Sequence, residues 1–185
     1  MKNYYVTCED VTAIYMNFKG QVVKTFIDTK NLSKADAFSG TWVGTQYKKN
    51  GSIYAVGISA VNTVKTYWKL HRLISLPEPE EGVDHRDHDG LNNLESNLRN
   101  CTPQENGQNT PPNPTNTSGF RGVSYRKDRN KWRAYVTVNG RQKSLGHYST
   151  AEEANEVATR YREELLPFSV TTSSKRRKNN EPNRT

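Results

Sequence analysis

Residues 82–109 of the chain read GVDHRDHDGLNNLESNLRNCTPQENGQN, and this stretch decides how the first half of the protein is interpreted. Asp84 and His85 place a carboxylate beside an imidazole at the end of a predicted strand, and a second short apolar stretch follows a polar loop. The four residues from Thr102 are a helix-start signature, with threonine at the cap, proline next and glutamate closing a capping box. Asn106 then falls in the first turns of a helix. This order of strand, loop, strand and helix brings Asp84 and Asn106 together.

These three side chains match the needs of phosphodiester cleavage. Carboxylate and amide oxygens, here those of Asp84 and Asn106, are preferred ligands of hard cations such as Mg²⁺ (or Mn²⁺). Two protein ligands leave positions open for a phosphate oxygen and for water, so one divalent ion can neutralise charge on the phosphate. The imidazole of His85, with an ordinary pKa of about 6.5, is suited to accept the proton of the attacking water. We therefore predict a hydrolytic centre with one divalent ion.

The residues before this stretch are β-rich and predict a scaffold of strands. Lys19-Gly20 and Asn62-Thr63 are predicted hairpin turns. The predicted elements are strands at Val11–Phe18, Gln21–Ile27, Ile53–Val61 and Val64–Ile74 and a short helix at Asn31–Phe38. Two roles remain open for this scaffold: a purely structural one, or DNA contacts through its lysines.

A proline-rich segment divides the chain. Residues 110–118 (TPPNPTNTS) contain three prolines and no charged residue, which is typical of a semi-extended linker. We therefore expect one domain at 1–109 and a second at 119–167, followed by a disordered basic tail at 168–185.

The second domain is predicted to be a three-stranded antiparallel sheet packed on one helix. Asn139-Gly140 is a strong hairpin signal. The predicted strands are Gly119–Arg126, Lys131–Val138 and Arg141–Tyr148. A capping box at Thr150 and Glu153 begins the helix, and Pro167 ends it.

Alternation along these strands predicts two different faces. Trp132, Ala134 and Val136 point toward the helix. The opposite face carries Ser124, Arg126, Lys131, Arg133, Tyr135, Thr137, Gln142 and Ser144. Basic, hydroxyl and amide side chains of this kind can bond phosphates and base edges, so we expect this face to bind double-stranded DNA.

The charge distribution supports a polyanionic partner. The 185 residues carry a net charge of +8. Residues 1–70 hold nine lysines and four acidic residues, residues 71–110 three arginines and eight acidic residues, and residues 111–185 fifteen basic and seven acidic residues. An acidic segment suited to a cation thus lies between two basic flanks suited to phosphates.

Several classes of protein do not fit the sequence. Cys8 and Cys101 are the only cysteines, which excludes a disulfide framework and a four-cysteine zinc site. No stretch has the length and apolarity of a signal peptide or a membrane span. We expect a cytoplasmic monomer with no membrane partner and no small-molecule substrate.

The block from His71 to Asn109 resembles the H-N-H homing endonucleases of phages and group I introns, which have the ββα-metal fold. The matching elements are His71-Arg72-Leu73, Val83-Asp84-His85, Asp87, Asn92-Asn93, Asn97-Leu98-Arg99 and Thr102 with Asn106. The resemblance implies that Asp84 and Asn106 bind the metal, that His85 is the general base, and that Asn97 fixes the loop that holds His85. It also implies a phage-encoded protein acting in a bacterial host cell. His88 stands where relatives usually have glycine.

Residues 119–165 resemble the APETALA-type DNA-binding domain of plant ethylene-response factors. The matching elements are Phe120-Arg121-Gly122-Val123, Lys131-Trp132, Ala134, Leu145-Gly146 and Thr150 with Glu152-Glu153-Ala154. The resemblance implies that the sheet enters the major groove and adds Arg121 to the DNA-binding residues. Ser124, Thr137, Gln142 and Ser144 replace larger side chains of the plant domains, so their target sequence does not transfer.

The two interpretations combine into one α+β protein. A β-rich scaffold leads into a ββα-metal nuclease core that cuts or nicks DNA, and a second domain selects the site. The alternative is a sequence-specific, non-catalytic DNA-binding regulator with a relic nuclease domain.

Overall fold

A computed structural model describes residues 1–47, 51–61, 64–110, 113 and 115–170. The chain forms two compact units, Met1–Asn109 and Thr110–Thr185. Each has its own hydrophobic core. No helix within the described ranges has the length and apolarity needed to cross a membrane.

The first unit is built on a six-stranded sheet. Its strands are β1 (Tyr5–Cys8), β2 (Val11–Phe18), β3 (Gln21–Asp28), β4 (Trp42–Gln46), β5 (Ile53–Val61) and β6 (Val64–Lys69). The order is β1-β2-β4-β5-β6, with β3 also paired to β2. All pairings are antiparallel except the short parallel contact of β2 with β4.

The predicted hairpin at Lys19-Gly20 is confirmed. Lys19 has φ 50° and Gly20 has φ 83°, the two positive values that a tight turn between twisted antiparallel strands requires. The second predicted turn, Asn62-Thr63, lies outside the described residues. β1 lies outside every strand predicted above.

Short helices connect the strands. A 3₁₀ turn at Thr29–Asn31 leads into α1 (Leu32–Asp36), where a single helix over Asn31–Phe38 was expected. The predicted strand Val64–Ile74 is wrong in its second half, because the chain turns into α2 (Leu70–Ser75) after β6. Leu70 and Ile74 are four residues apart and both buried, and helical spacing places both against the core.

The core of the first unit surrounds Trp42, which is completely buried and donates from Nε1 to the carbonyl oxygen of Ala35 at 3.2 Å. The other buried side chains of this cluster are Ile14, Met16, Ile27, Ala35, Phe38, Ala55, Leu70, Ile74 and Leu98. Leu98 lies on β8 (Leu98–Cys101), which pairs with β7 (Gly82–His85) in a separate two-stranded ribbon. The ribbon is therefore anchored to the same core as the large sheet.

The predicted three-stranded sheet on one helix is confirmed in the second unit. β9 (Val123–Arg126), β10 (Lys131–Val138) and β11 (Arg141–Tyr148) are antiparallel in the order β11-β10-β9. The predicted turn has φ 49° at Asn139 and 76° at Gly140. α4 (Ala151–Leu165) covers one face of the sheet, and its alanines allow close approach because they add almost no side-chain volume.

Candidate functional site

The candidate centre lies at the end of the β7–β8 ribbon. Asp84 pairs with Arg99 across the ribbon, and His85 pairs with Leu98. The chain then enters α3 (Pro103–Asn106), where the predicted capping box is present: Glu105 N–H donates to Thr102 Oγ1, and Glu105 Oε2 accepts from Thr102 N–H. Strand, loop, strand and short helix thus follow one another in the expected order.

Asp84 is buried and ion-paired. Directly opposite residues of an antiparallel pair share one face of the sheet, so Arg99 lies beside the carboxylate. Its Nε and Nη2 both donate to Asp84 Oδ2, at 2.9 and 2.7 Å. These two hydrogen bonds both end on Oδ2, and Oδ1 of Asp84 contacts a different neighbouring residue.

That neighbour is Asn109, which the sequence interpretation did not single out. Its Nδ2 donates to Asp84 Oδ1 at 3.2 Å, to Oδ2 at 3.0 Å and to the carbonyl oxygen of His85 at 3.1 Å. Its own Oδ1 is buried without a hydrogen-bond partner among the described residues. Asn106, by contrast, is exposed at the last position of α3. Its assignment as a metal ligand stays a prediction.

His85 is buried and held by a second asparagine. His85 Nε2 is 3.1 Å from Asn93 Oδ1, and Asn93 Nδ2 donates to Thr25 Oγ1 at 2.7 Å. This amide orientation makes Nε2 the protonated nitrogen and leaves Nδ1 with the lone pair. Burial lowers the pKa of His85, against the opposing effects of the Asn93 hydrogen bond and nearby aspartates. The imidazole is therefore kept neutral, as a proton acceptor must be.

Asn97 closes the loop that follows His85. Its Nδ2 donates to Asp87 Oδ1 at 2.9 Å and to the carbonyl oxygen of Asn92 at 2.8 Å, while its Oδ1 accepts from the N–H of Asp87. The loop is also tied to β3, because Phe26 N–H donates to the Leu91 carbonyl oxygen at 2.9 Å. Asn97 thus has the contacts that its expected role in fixing the loop requires.

Two further histidines line the centre in different ways. The rings of His71 and His85 are 5.2 Å apart, and Tyr54 lies 5.7 Å from both. Burial, followed by the charge of His85, lowers the pKa of His71 to about 3. His88 has φ 64°, a conformation that favours glycine, and its Nε2 lies 3.0 Å from the Asn109 carbonyl oxygen.

The donor set fits a hard divalent cation rather than zinc. Asp84 offers carboxylate oxygens. The side-chain amide of Asn109 contacts that carboxylate through Nδ2, while its Oδ1 has no hydrogen-bond partner among the described residues. Exchanging the amide's oxygen and nitrogen positions turns a second oxygen toward Asp84. No group of three or more histidine, cysteine, aspartate or glutamate side chains suited to a metal occurs within the described part of the chain.

The second unit gathers most of the predicted DNA-binding residues on the exposed face of its sheet. Arg133 lies opposite Ser124 on β9, and Tyr135 lies opposite Ser144 on β11. Arg126 pairs with Lys131, and Thr137 with Gln142. Arg126 also forms an ion pair with Asp128, at 3.0 Å between Nε and Oδ1.

A β-bulge brings one further residue, His147, to the face predicted to bind DNA, which simple alternation along the strand did not predict. The register of β10 and β11 shifts between Ala134 and Tyr135, which leaves Leu145 as the extra residue of β11. His147 consequently lies opposite Arg133, on the face predicted to bind DNA. Gly146 inside a strand was the available signal, because glycine there often marks a bulge.

Arg121 lies outside this set of strand residues. It precedes β9, is half-buried and donates from Nη1 to Ser169 Oγ at 3.3 Å. Burial lowers the pKa of its guanidinium. Its backbone oxygen accepts from Nη1 of the buried Arg162 at 2.5 Å, so the start of β9 is fixed to α4.

The chain is similar to known proteins over parts of its length. Residues 118–166 match the model of the AP2 domain family. The chain is 43% identical over 60 residues to "Protein 3.8" of Escherichia phage T7, covering 32% of this chain and 50% of that protein. It is 39% identical over 84 residues to "Uncharacterized HNH endonuclease L560" of Acanthamoeba polyphaga mimivirus, covering 45% and 42%. No solved structure matches.

The chain thus spans half or less of the length of these relatives. Its second unit contains the residues that match the AP2 domain family, and its first unit contains the sequence elements that suggested a nuclease. The chain carries an AP2 domain at residues 118–166 and is similar to a viral protein named as an HNH endonuclease.

Proposed function

We propose that the protein is a metal-dependent endonuclease of the H-N-H type that nicks or cuts double-stranded DNA, with the AP2 domain selecting where it acts. The observation that carries this proposal is the burial of Asp84, His85 and Asn109 in one hydrogen-bonded group at the end of the β7–β8 ribbon. The similarity to a protein named as an HNH endonuclease supports it.

His85 is the general base in this proposal. Asn93 holds its Nε2, so Nδ1 is the nitrogen that takes the proton from the attacking water. Burial keeps the ring neutral at physiological pH, and Tyr54 and His71 restrict its orientation from the sides. A fixed, neutral acceptor supports general-base catalysis worth about 10²- to 10⁴-fold in rate.

Asp84 holds the metal in this proposal, together with Asn109 or Asn106. A bound Mg²⁺ or Mn²⁺ ion supplies charge neutralisation at the phosphate and the leaving oxygen. Arg99 fixes the direction of the Asp84 carboxylate, because two of its hydrogen bonds end on Oδ2.

Plasmid cleavage tests the proposal directly. Supercoiled plasmid incubated with the full chain is expected to become nicked or linear with Mg²⁺ and to stay intact with EDTA. His85→Ala should lower the rate by at least about 10²-fold. His71→Gln serves as a control for loss of a neighbouring buried ring. Cleavage by His85→Ala at the wild-type rate would show that His85 is not the base.

One observation favours a second function. Arg99 already neutralises Asp84, and a carboxylate held by an arginine can serve stability alone. This is what a non-catalytic, DNA-binding regulator with a relic nuclease unit would contain. Duplex binding without Mg²⁺-dependent cleavage at any tested target would favour the regulator.

A further inference from the structure

One edge of the six-stranded sheet is unusually exposed for its composition. β6 is the terminal strand in the sheet order, and residues 65–69 are all exposed. Tyr67 is 62% exposed and Trp68 43% exposed, although aromatic side chains contribute most to stability when buried. An exposed edge strand with exposed aromatic side chains is typical of a surface that binds another molecule.

Lysine and tyrosine side chains share one face of this edge. Residues two apart on a strand point the same way, which groups Lys65, Tyr67 and Lys69. Tyr67 lies directly opposite Ile58, and Lys69 lies opposite Val56 on β5. Tyr54 is two residues before Val56 and belongs to the same face.

This face leads to the candidate centre through a chain of ring contacts. Lys69 Nζ lies 5.5 Å from the centre of the Tyr47 ring, and the Tyr47 and Tyr54 rings are 5.5 Å apart. The Tyr54 ring is in turn 5.7 Å from the ring of His85. We call Lys65, Tyr67, Lys69, Tyr47 and Tyr54 the β6 strip.

The lysines of the strip carry positive charge that no carboxylate of the described residues neutralises, although Lys69 lies over the Tyr47 ring. No ion pair joins Lys65 or Lys69 to a carboxylate among the residues the structure describes. Their separation of four residues corresponds to about 13 Å on an extended strand. That length matches about four phosphate steps of one strand when they are measured along the helix axis of duplex DNA, at about 3.4 Å per step.

We propose that the β6 strip is a second DNA-binding surface, on which the phosphodiester backbone of duplex DNA lies where it approaches His85. Lys65 and Lys69 contact phosphates, and the Tyr67 hydroxyl supplies a further donor. The partner is identified by charge complementarity, because two unpaired lysines beside exposed tyrosines fit a polyanionic backbone. The inference rests on the proposed function for the part that His85 plays.

The test compares two double variants of the full chain. Lys65→Ala with Lys69→Ala removes two positive charges from the strip. Lys19→Ala with Lys24→Ala removes two lysines that lie over aromatic rings as Lys69 does, at 5.1 Å from Phe18 and 5.0 Å from Tyr15. Both pairs are exposed, so neither substitution disturbs the core.

Binding to a fluorescent duplex is measured in EDTA between 50 and 200 mM KCl, so that no cleavage occurs. Loss of two phosphate contacts should reduce the slope of log K against log salt by about 1.8, and affinity at 50 mM by about ten-fold. That deficit should nearly vanish at 200 mM. The Lys19/Lys24 variant should keep the wild-type slope.

Equal slopes for the two double variants would overturn the proposal. So would a Lys65/Lys69 effect seen only with single-stranded DNA or RNA, because the strip would then serve another nucleic acid. Plasmid cleavage by the wild-type chain is measured in parallel. If that fails, the proposed nuclease function is wrong, whereas the salt slopes still decide whether the strip binds duplex DNA.

Discussion

Asn109 contacts Asp84 through its amide nitrogen and leaves its amide oxygen buried without a partner among the described residues. A buried acceptor without a hydrogen bond costs about 1–3 kcal/mol, which few native sites tolerate without a reason. If the amide's oxygen and nitrogen positions are exchanged, a cation bound between this oxygen and the Asp84 carboxylate would remove that cost. The relationship identifies Asn109 as a metal-ligand candidate that competes with Asn106.

We predict that Asn109→Ala lowers affinity for Mn²⁺ by about 10- to 100-fold, the range found when residues that support a metal site are removed. Asn109→Asp, which retains an oxygen beside Asp84, should keep more affinity than Asn109→Ala. Titration calorimetry with Mn²⁺ measures both.

Asn106→Ala is the matched comparison, since it removes the same amide from an exposed position in the same segment. It should weaken Mn²⁺ binding less than Asn109→Ala does. The reverse order of effects would mean that the resemblance identifies the ligand and that the Asn109 contact is structural.

Asn93 is expected to position His85. Asn93→Leu removes the partner of His85 Nε2 and also leaves Thr25 Oγ1 without its donor. We predict that plasmid cleavage falls by about 10- to 100-fold, as for other partners that orient a functional histidine. The ring ¹⁵N shifts of His85 should also change from one dominant tautomer to a mixture.

Thr25→Val is the control, because it removes the outer hydrogen bond while keeping the Asn93–His85 contact. It should destabilise the fold by about 1–3 kcal/mol with a smaller loss of activity. If Asn93→Leu lowers stability alone and leaves both the tautomer and the cleavage rate unchanged, Asn93 has no positioning role.

The sequence identified the parts of the centre that depend on local pattern. Asp84 and His85 are adjacent, and the capping box at Thr102 is a signal within four residues. Asn93 was not identified as a partner of His85, because its position is set by Thr25, 68 residues away along the chain. Asn109 follows Asn106 by three residues and lies beyond the end of α3, and the local sequence pattern does not distinguish which of the two amides is buried beside Asp84.

The helix α2 is another element that local sequence pattern did not predict, because its formation depends on packing against the core. The β-branched and aromatic residues of Val64–Ile74 are concentrated in its first half, and residues 70–73 (LHRL) include no β-branched residue, so the predicted strand was extended too far. Tertiary packing decides the change at Leu70, since Leu70 and Ile74 reach the core only at helical spacing. His147 was missed for a related reason, because alternation assumes an unbroken register and the bulge at Leu145 breaks it.

His147 is predicted to contribute to duplex binding by the AP2 domain. Its position opposite Arg133 places it on the polar face of the sheet. His147→Ala should weaken binding by about five-fold, corresponding to one hydrogen bond of about 1 kcal/mol. Fluorescence anisotropy with a labelled duplex measures the change.

Lys143 provides a control on the same strand. It pairs with Val136 on the helix side of the sheet, and its Nζ lies 5.6 Å from the Tyr161 ring. Lys143→Ala removes a full charge but should affect affinity less than His147→Ala does. A larger effect at Lys143 would mean that DNA binds elsewhere on this unit.

We predict that the first unit loses stability in mild acid, because His71 is buried and its pKa is lowered. Its folded pKa is lowered to about 3, mainly by burial, while the unfolded chain has an ordinary value of about 6.5. Between these two pKa values the unfolded state binds a proton at His71 that the folded state does not bind. The free energy of unfolding therefore falls as pH decreases from about 6.5 toward 3. At pH 5 the loss from this residue is about 2 kcal/mol relative to neutral pH.

Urea unfolding of the wild-type chain and of His71→Gln at several pH values measures this effect. The variant should show a shallower fall in unfolding free energy between pH 6.5 and 5, with the remaining slope due to other groups such as His85. In the wild-type protein, the ring proton signals of His71 should not titrate above about pH 4. A His71 titration near pH 6.5 would contradict the predicted stability loss.

Alanine substitutions at Gly122 and Gly140 distinguish the effect of a steric clash from that of backbone strain in the AP2 domain. Both have positive φ, 78° and 76°, so alanine at either position costs about 1–2 kcal/mol for conformation alone. A Cβ at Gly122 would also lie 2.4 Å from the Tyr135 carbonyl oxygen, whereas at Gly140 it meets nothing within 4 Å. Tyr135 N–H donates to the Gly122 carbonyl oxygen at 2.8 Å, so this close approach joins the start of β9 to β10. Gly122→Ala should therefore reduce hydrogen-exchange protection in β10 and abolish duplex binding, while Gly140→Ala keeps both. Equal loss of protection in the two variants would show that the contact with Tyr135 adds nothing beyond the positive φ.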